Sequence, residues 1–347
     1  MRRFSIAVVA AVTLGTALSS VPAHADARSG GRGLAHCAAG TCHFDVPPGT
    51  YDVRVTLGGK AASSTSVTGE SRRSLLPETA APAGKRVTRS FTVNVRTPEG
   101  EPTGPEGTPG LDLRIGGTAP ALAGIEVERA RYARQIFLIG DSTVCDQPGD
   151  PYSGWGQQLP QYLRKGVSVA NYADSGESTV TYLGNPQLWA TVRPLIRPGD
   201  AVLVQLAHND KNTDEATYRA NLEALVAGIR ERGGQPVLVT PIVRRWFNPD
   251  GTLNNGTALL VNGLGVDHPA VIRSVAAARA VPLIDLTAKT KALVESLGVE
   301  GSKALYLTNE ARDNTHTSVR GATAYAGLVR DELVILHLVP KGTVRVG

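Results

Sequence analysis

The chain has 347 residues, of which 41% are hydrophobic and 5% aromatic, and its formal net charge is +5. This length is enough for about two domains with their own cores. The basic residues are scattered and form no run of five or six, which excludes the charge pattern typical of nucleic-acid-binding proteins, so we expect no nucleic-acid partner.

Residues 1–25 have the layout of a secretory signal peptide. Arg2 and Arg3 precede a short apolar run, and the small-x-small sequence AHA at 23–25 offers a cleavage site before Asp26. A membrane anchor is the alternative, but the apolar run is short for a bilayer span. We therefore predict a secreted, extracellular protein that has no membrane attachment after cleavage, and we expect it to be a monomer.

The sequence contains three cysteines, Cys37, Cys42 and Cys145. Export to an oxidising compartment favours a Cys37–Cys42 disulfide that closes a small loop. His36 and His43 flank this pair, so a zinc site is the alternative, although the spacing matches no reliable zinc pattern. Cys145 is then unpaired, and we expect a small buried side chain there.

From residue 44 to about residue 130, hydrophobic residues alternate with polar ones. Alternation of this kind predicts half-buried antiparallel strands. The alternating segments are TYDVRVTLGG (50–59), RSFTVNVRTP (89–98), GLDLRIGG (110–117) and GIEVERA (124–130). Loops rich in glycine, proline, serine and threonine lie between them, notably TPEGEPTGPEGTPG at 97–110. We predict a small antiparallel β-sandwich domain over residues 26–131.

After residue 131, short apolar segments alternate with helical patterns. Each apolar segment is nearly continuous, as expected of strands that are buried on both faces. The strand candidates are QIFLIG (135–140), VSVAN (167–171), AVLVQL (201–206), PVLVT (236–240) and VPLID (281–285). A long helix is predicted at 319–339. This order predicts an α/β domain at 132–347, with a parallel sheet and helices on both faces.

Ser142 follows the first of these strands, in the sequence IFLIGDST. The carboxyl ends of the strands form the usual site edge of a parallel sheet. A serine becomes a nucleophile only when a base takes its proton, a third group orients the base, and hydrogen-bond donors face the developing oxyanion. The remainder of the domain must supply these partners.

Three histidines lie in the second domain outside its final helix, at positions 208, 268 and 316. His316 is the candidate base, because Asp313, three residues earlier, can share its loop and hold the imidazole through Nδ1. The alternative is an ordinary polar histidine in the loop before a helix.

Two further segments end strands at the same edge of the predicted sheet. Gly176, in NYADSGES, offers a backbone N–H, and Asn209, in QLAHNDK, offers a side-chain amide. Together with the N–H of Ser142, these groups predict an oxyanion hole with three donors. The alternatives are a turn residue at 176 and a helix cap at 209.

Four segments, taken in chain order, resemble the SGNH or GDSL hydrolases. They are GDST at 140–143, NYADSGES at 171–178, HND at 208–210 and DNTH at 313–316. The resemblance implies a flavodoxin-like parallel sheet. Three connecting segments, SGWGQ (153–157), TPIVRRWFNPDGTL (240–253) and VPLIDL (281–286), are similar to the rhamnogalacturonan acetylesterase group of this superfamily. The β-sandwich region resembles the galactose-binding-like domain that precedes some bacterial members.

The resemblance assigns a role to each candidate residue. Ser142 is the nucleophile, His316 the general base, and Asp313 the group that orients the base. The N–H groups of Ser142 and Gly176 and the amide of Asn209 form the oxyanion hole. The resemblance implies no metal and no cofactor. It implies removal of O-acetyl groups from plant cell-wall polysaccharide of the rhamnogalacturonan or pectin type through an acetyl-enzyme, so the expected partner is an acetylated polysaccharide or oligosaccharide.

Substrate contacts are predicted at Trp155, His208 and Arg245. Aromatic faces stack well on sugar rings, and an arginine can meet a carboxylate. The aromatic pair at 246–247 is a further candidate for the wall of the site, with core packing as the alternative for all the aromatic residues. Of Arg244 and Arg245, we expect one to be structural and one exposed.

Four residues depart from the pattern of the acetylesterase group. Ala207 stands where glycine is common, Glu177 and Val180 replace basic residues, and Cys145 stands where a small residue is usual. Without those basic side chains, we expect weaker binding of acidic galacturonate chains. Two other functions stay open: a secreted lipase or thioesterase with the same triad, and a non-catalytic carbohydrate-binding protein.

Overall fold

The computed structural model describes residues 31–345, so the predicted signal peptide at 1–25 lies outside the described residues. Two antiparallel sheets precede a five-stranded parallel sheet along the chain. Within the described range, no helix combines the length and the apolar character that crossing a membrane requires.

The first part of the described chain forms two antiparallel sheets. Their strands are β1 (Gly31–Arg32), β2 (Cys37–Ala38), β3 (Thr41–Phe44), β4 (Gly49–Leu57), β5 (Ser63–Gly69), β6 (Arg73–Ala81), β7 (Val87–Val95), β8 (Leu111–Ala119) and β9 (Leu122–Arg129). One sheet has the order β1-β9-β4-β7 and the other β2-β3-β8-β5-β6. Alternate residues of β4, such as Val53 and Val55, are fully buried and share one core with Val67 and Leu113 of the other sheet. These sheets agree with the predicted antiparallel β region.

The sequence does not predict β5 or β6, because their residues read as a loop. In β5, the sequence SSTSVTG places small residues on both faces, and burial alternates along it. The buried Thr65 satisfies its hydroxyl by accepting the N–H of Ala121 at 2.9 Å. Small polar side chains can therefore fill the inner face of a strand without a visible apolar period.

The predicted disulfide is confirmed. Cys37 and Cys42 face each other across the β2–β3 hairpin, and their sulfurs are bonded at 2.04 Å. Cys145 carries a free thiol and is fully buried, as expected.

The second part of the chain is built on a parallel sheet. Its strands are β10 (Arg134–Gly140), β11 (Val167–Asn171), β12 (Ala201–Gln205), β13 (Gln235–Val239) and β14 (Leu283–Ile284), in the order β11-β10-β12-β13-β14. A small antiparallel pair, β15 (Tyr306–Leu307) and β16 (Asp313–Thr317), follows them. The predicted parallel sheet is therefore confirmed.

Helices cover both faces of this sheet. They are α1 (Trp155–Gln158), α2 (Thr179–Gly184), α3 (Trp189–Val192), α4 (Glu215–Glu231), α5 (His268–Arg279), α6 (Leu286–Gly301), α7 (Thr308–Ala311) and α8 (Val319–Ile335), with 3₁₀ turns at Leu34–His36, Leu159–Tyr162, Arg193–Leu195 and Ser302–Leu305. Ile136 and Leu138 of β10 pack with residues of α6 and α8, whereas Phe137 and Ile139 pack with residues of α4 and α5. This opposite orientation of successive side chains explains why the strands are nearly continuous in apolar residues.

Two predicted elements are shorter than expected. Strand β14 contains only Leu283 and Ile284, because the side chain of Asp285 accepts the N–H of Ala288 and caps α6. Helix α8 ends at Ile335 rather than at 339, and His337 adopts a left-handed backbone with φ of 54° that a continuing helix does not allow.

The strand order places a switch point between β10 and β12. The chain passes from β10 to β11 on one side and then returns to β12 on the other side of β10. In doubly wound sheets, ligands bind in the crevice outside the carboxyl ends of the strands at such a point. Ser142 follows β10 and Asn209 follows β12, so both lie at the switch point.

A buried ionic cluster joins the antiparallel sheets to the parallel one. Arg73 of β6 is 1% exposed, and its Nε donates to the Oδ2 atom of the fully buried Asp146 at 2.5 Å. The guanidinium of Arg96, also buried, lies 3.4 Å from the same oxygen. Asn171, at the end of β11, donates to the other carboxylate oxygen at 2.8 Å. The carboxylate of Asp146 is therefore the counter-charge that lies beside two buried guanidinium groups.

We expect Asp146→Ala to lower the free energy of unfolding by about 3–5 kcal/mol, because it leaves Arg73 and Arg96 buried without the carboxylate that lies beside both of them. The matched control is Asp331→Ala, which removes an aspartate that is 55% exposed and pairs with Arg330. That change should cost about 1 kcal/mol or less. Urea denaturation followed by circular dichroism measures both, and equal losses would contradict the prediction.

Candidate active site

Ser142 lies in the turn that follows β10. Asp141 fixes this turn, because its carbonyl oxygen accepts the N–H groups of Val144 at 2.9 Å and Cys145 at 3.0 Å. Its buried carboxylate accepts the N–H and the hydroxyl of Thr143, at 2.9 and 2.7 Å. Ser142 stays partly exposed. The turn therefore presents the serine hydroxyl at the site edge, while the neighbouring acid supports the backbone.

The structure brings Ser142, His316 and Asp313 together. Ser142 Oγ lies 2.8 Å from His316 Nε2, and His316 Nδ1 lies 2.6 Å from Asp313 Oδ2. Asp313 and His316 both belong to β16, whose pairing with β15 fixes their backbone. The ring of Tyr152 meets the imidazole edge to face at 5.6 Å. These contacts are the geometry that a serine, a base and an orienting acid require.

The electrostatics of Asp313 keep its carboxyl group ionised. Burial raises its pKa, but hydrogen bonds from the ring and N–H of His316 and from the N–H of Thr315 outweigh burial and lower the pKa to about 2. An ionised carboxylate accepts only, so the imidazole must carry its proton on Nδ1 toward Asp313. The other ring nitrogen, Nε2, is then the acceptor that faces the hydroxyl of Ser142.

The three predicted oxyanion donors lie on neighbouring loops. Gly176 has a φ of 84°, in the left-handed region that favours glycine, and it is exposed. Asn209 donates its side-chain amide to the carbonyl of Glu177 at 3.2 Å, which ties it to the residue after Gly176. Within residues 31–345, neither the Ser142 N–H nor the Gly176 N–H has a protein acceptor. The roles of these donors stay a prediction.

Gln147 connects the Ser142 turn with the Gly176 loop. Its side-chain amide donates to the carbonyl of Ser142 at 2.9 Å and to the hydroxyl of Ser175 at 3.4 Å. The sequence gives no sign of this role, because Gln147 lies in an irregular segment that matches no motif. The side chain of Gln147 therefore links the two loops that carry the predicted backbone donors.

Trp155 does not lie on the wall of the site. Its side chain is 1% exposed, and its indole N–H donates to Gln205 Oε1 at 2.9 Å. Gln205 in turn donates to the hydroxyl of Thr143 at 2.8 Å. Trp155 therefore supports the Ser142 turn from the core, which corrects the predicted sugar contact. The polar Gln205 within the apolar strand AVLVQ was the signal for this network.

His208 and Arg245 are also buried rather than directed to a substrate. His208 is 3% exposed, and its Nδ1 lies 3.2 Å from Asp141 Oδ2. Arg245 is 7% exposed and donates to Ser302 Oγ at 3.0 Å and to Asn314 Oδ1 at 3.1 Å. Both predicted substrate contacts are therefore replaced by structural ones, because each side chain is buried and contacts its neighbours in the protein.

The residues beside Arg245 are more accessible. Arg244 is partly exposed and donates to the carbonyl of His208 at 3.0 Å. Burial lowers the pKa of Arg244, while the charges of Asp141 and Asp313 act in the opposite direction. Trp246 is 48% exposed. Of the two arginines, Arg245 is the structural one, and the aromatic side chain at 246 remains at the surface.

Comparisons with known proteins identify relatives of the chain. Residues 138–324 match the GDSL-like Lipase/Acylhydrolase family. Rhamnogalacturonan acetylesterase RhgT of Bacillus subtilis is 37% identical over an alignment of 220 residues, which covers 59% of this chain and 91% of that protein. Probable rhamnogalacturonan acetylesterase YesY of the same organism is 34% identical over an alignment of 208 residues, which covers 57% of this chain and 91% of that protein. The crystal structure of the Bacillus subtilis protein YxiM matches with a TM-score of 0.54 and 27% identity, over 86% of this chain and 80% of that one.

The chain belongs to the GDSL-like lipase/acylhydrolase family, because the family match covers more than half of it. It is a carboxylic ester hydrolase, and its parallel sheet has the SGNH hydrolase fold, as the four sequence segments predict. The likeness to YxiM covers more of the chain than residues 132–347 contain, so it extends into the antiparallel sheets.

We expect Asp313→Asn to lower kcat about 10⁴-fold with the fold retained, because an asparagine no longer holds the imidazole in the tautomer that accepts the serine proton. Hydrolysis of p-nitrophenyl acetate measures the loss, and the thermal unfolding midpoint checks the fold. Asp45→Asn is the control, since Asp45 has a fully exposed side chain in the antiparallel region. A loss of less than tenfold in a folded Asp313→Asn protein would exclude the orienting role.

Proposed function

We propose that this member of the GDSL-like lipase/acylhydrolase family is a secreted esterase that removes O-acetyl groups from plant cell-wall polysaccharide of the rhamnogalacturonan or pectin type. The observation that carries the proposal is the hydrogen-bonded series Ser142–His316–Asp313, with contacts of 2.8 and 2.6 Å. The names of the relatives RhgT and YesY support the substrate class. The signal-peptide pattern at 1–25 supports secretion.

Acylation begins when Nε2 of His316 accepts the proton of the Ser142 hydroxyl, as the oxygen attacks the acetyl carbonyl carbon. Asp313 stabilises the imidazolium that forms. The imidazolium then gives its proton to the sugar oxygen, so the carbon–oxygen bond of the ester breaks and the sugar hydroxyl leaves. The acetyl group remains on Ser142.

Deacylation repeats these steps with water. His316 accepts a proton from a water molecule that attacks the acetyl-enzyme, and it returns this proton to the oxygen of Ser142 as acetate leaves. In both halves of the reaction, a negative charge develops on the former carbonyl oxygen. We assign the stabilisation of this charge to the N–H groups of Ser142 and Gly176 and the amide of Asn209, which lie on neighbouring loops.

The polar surroundings of Ser142 suit a hydroxylated substrate. The side chains of Gln147 and Ser175 link the nucleophile turn with the next loop, and Ser175 and Gly176 are exposed. A sugar can exchange hydrogen bonds with such groups, whereas a long acyl chain gains most from apolar walls. This surface favours the carbohydrate esterase over the lipase or thioesterase.

We expect Ser142→Ala to abolish acetate release from acetylated rhamnogalacturonan, because no other hydroxyl lies within hydrogen-bond distance of His316 Nε2 among the described residues. The matched control is Ser296→Ala, an exposed serine on α6, which should leave the rate unchanged. Acetate is measured enzymatically on a panel of acetylated rhamnogalacturonan, homogalacturonan and xylan.

The panel also separates the alternatives. Release from xylan but not from either pectin would reject the pectin substrate, and a preference for long-chain p-nitrophenyl esters over acetate would reject the carbohydrate esterase. Binding to a polysaccharide without any acetate release would support the non-catalytic alternative.

We expect Asn209→Ala to lower kcat by about 10²–10³-fold, the cost of one oxyanion donor. KM should change little, since the donor acts on charge that develops only in the transition state. Initial rates with p-nitrophenyl acetate measure both constants. The control is Asn185→Ala, which changes the residue that directly follows α2. A kcat within a few-fold of the wild type would remove Asn209 from the oxyanion hole.

A further inference from the structure

A loop of the antiparallel region reaches the candidate active site. The connection between β7 and β8, residues 96–110, contacts both the turn that carries Ser142 and the loop that carries Gly176. In the sequence this connection belongs to the predicted β-sandwich domain at 26–131 and has no predicted role. The contacts made by Glu101 and Thr103 assign one.

Glu101 holds two side chains with a single carboxylate oxygen. Its Oε1 accepts the hydroxyl of Ser175 at 2.6 Å and the thiol of Cys145 at 2.9 Å. Burial raises the pKa of Cys145 well above its ordinary value, and the charge of Glu101 adds to this effect, so the thiol keeps its proton and donates it. Hydrogen bonds to a charged acceptor are stronger than neutral ones.

These two contacts join the catalytic loops through their neighbours. Cys145 is three residues after Ser142, and Ser175 immediately precedes Gly176. The sulfur of Cys145 and the oxygen of Ser175 are 3.5 Å apart, so Glu101, Cys145 and Ser175 form one connected polar group. Loss of the Glu101 carboxylate would therefore remove a contact that the two loops share.

Thr103 adds a second attachment to the same loop. Its N–H and hydroxyl donate to the two carboxylate oxygens of Asp174, at 3.1 and 2.6 Å. Asp174 is 1% exposed, and its N–H donates to the carbonyl of Gly140 at the end of β10, at 3.1 Å. The segment before Gly176 is thus held between the end of β10 and the loop at 96–110.

The loop at 96–110 is itself anchored. Arg96 donates to the carbonyl of Gly100, and its guanidinium lies 5.0 Å from the centre of the Tyr172 ring. Arg96 also lies 3.4 Å from Asp146 in the buried ionic cluster. The position of Glu101 is therefore set by the packing of the antiparallel sheets against the catalytic region.

Gly176 itself packs against no neighbouring side chain. It is exposed, its φ is 84°, and an added Cβ would meet no atom within 4 Å. Its N–H must nevertheless be held in a fixed position to stabilise an oxyanion. A donor that is already in place when the charge develops costs no free energy of reorganisation during the reaction. Asn209 holds the carbonyl of Glu177 on one side of Gly176, and Glu101 holds the side chain of Ser175 on the other side.

We propose that Glu101 is a positioning residue for the oxyanion hole, through which the antiparallel β region completes the catalytic site by fixing the loop that carries Gly176. This inference rests on the proposed function, since it takes Gly176 as an oxyanion donor. Glu101 does not touch the Ser142–His316–Asp313 series, so it acts on the geometry of the donors and not on proton transfer.

The test compares Glu101→Ala and Glu101→Gln in the full chain. We expect Glu101→Ala to lower kcat about tenfold to a hundredfold with KM little changed, which is less than the loss of a donor outright but typical of a misplaced one. Glu101→Gln retains an acceptor oxygen at the same place, so its kcat should recover to within about fivefold of the wild type.

A second readout separates positioning from folding. Diethyl p-nitrophenyl phosphate inactivates the enzyme when Ser142 attacks it, and this attack also develops negative charge on an oxygen. The rate of inactivation should therefore fall in parallel with kcat in Glu101→Ala. The acidic limb of the pH–rate profile should stay where it is, because the His316–Asp313 contact is untouched. Glu106→Ala removes the same charge from an exposed position on the same loop and should leave all these values unchanged.

Two outcomes would overturn the proposal. One is a lower thermal midpoint in Glu101→Ala with unchanged kcat and inactivation rate, which would make Glu101 a purely structural residue. The other is an equal loss in Glu101→Ala and Glu106→Ala, which would indicate a general effect of charge. If Ser142→Ala retains activity, the proposed function fails instead, so the two failures are distinguishable.

Discussion

Ser142 Oγ lies 2.8 Å from His316 Nε2, although 174 residues separate the two in the chain. Much of the surrounding structure constrains this one contact from its two sides. On the serine side, the backbone and side chain of Asp141 close the turn after β10. On the histidine side, Asp313 orients the ring, and Arg245 donates to the neighbouring Asn314. The turn with Ser142 and the strand with His316 are far apart in sequence, so each must be held rigidly by its own neighbours for this hydrogen bond to form.

The contacts of Asp141 show what the acid that precedes the nucleophile does: it supports the turn. Burial raises the pKa of its carboxyl, but the charge and hydrogen bond of His208 and the hydrogen bonds of Thr143 outweigh burial, so the pKa lies below its ordinary value. The contact between Asp141 and His208 crosses from the end of β10 to the end of β12, the two strands that flank the switch point. His208 is therefore best understood as part of the support of the Ser142 turn. A buried carboxylate with these partners fixes the edge of the sheet at the place where the site forms.

The sequence predicts those parts of the molecule that depend on local patterns. The strands of the parallel sheet are visible as apolar segments, and the Asp313–His316 pair is visible because three residues separate the two in one segment. The burial of Trp155 and Arg245 is not visible, because Gln205 and Ser302, which contact them, lie far away in the chain. Strand β5 is hidden for another reason, since its inner face contains small polar residues. Sequence patterns thus identify reactive groups more readily than the remote contacts that decide which side chains face a substrate.

The turn after Ser142 also depends on the antiparallel sheets. Asp146 is fully buried in this turn and faces Arg73 and Arg96, both contributed by the antiparallel region. Without them, a buried carboxylate would lack its counter-charges. This support comes from the preceding antiparallel sheets, so the geometry at Ser142 depends on the packing between the two regions.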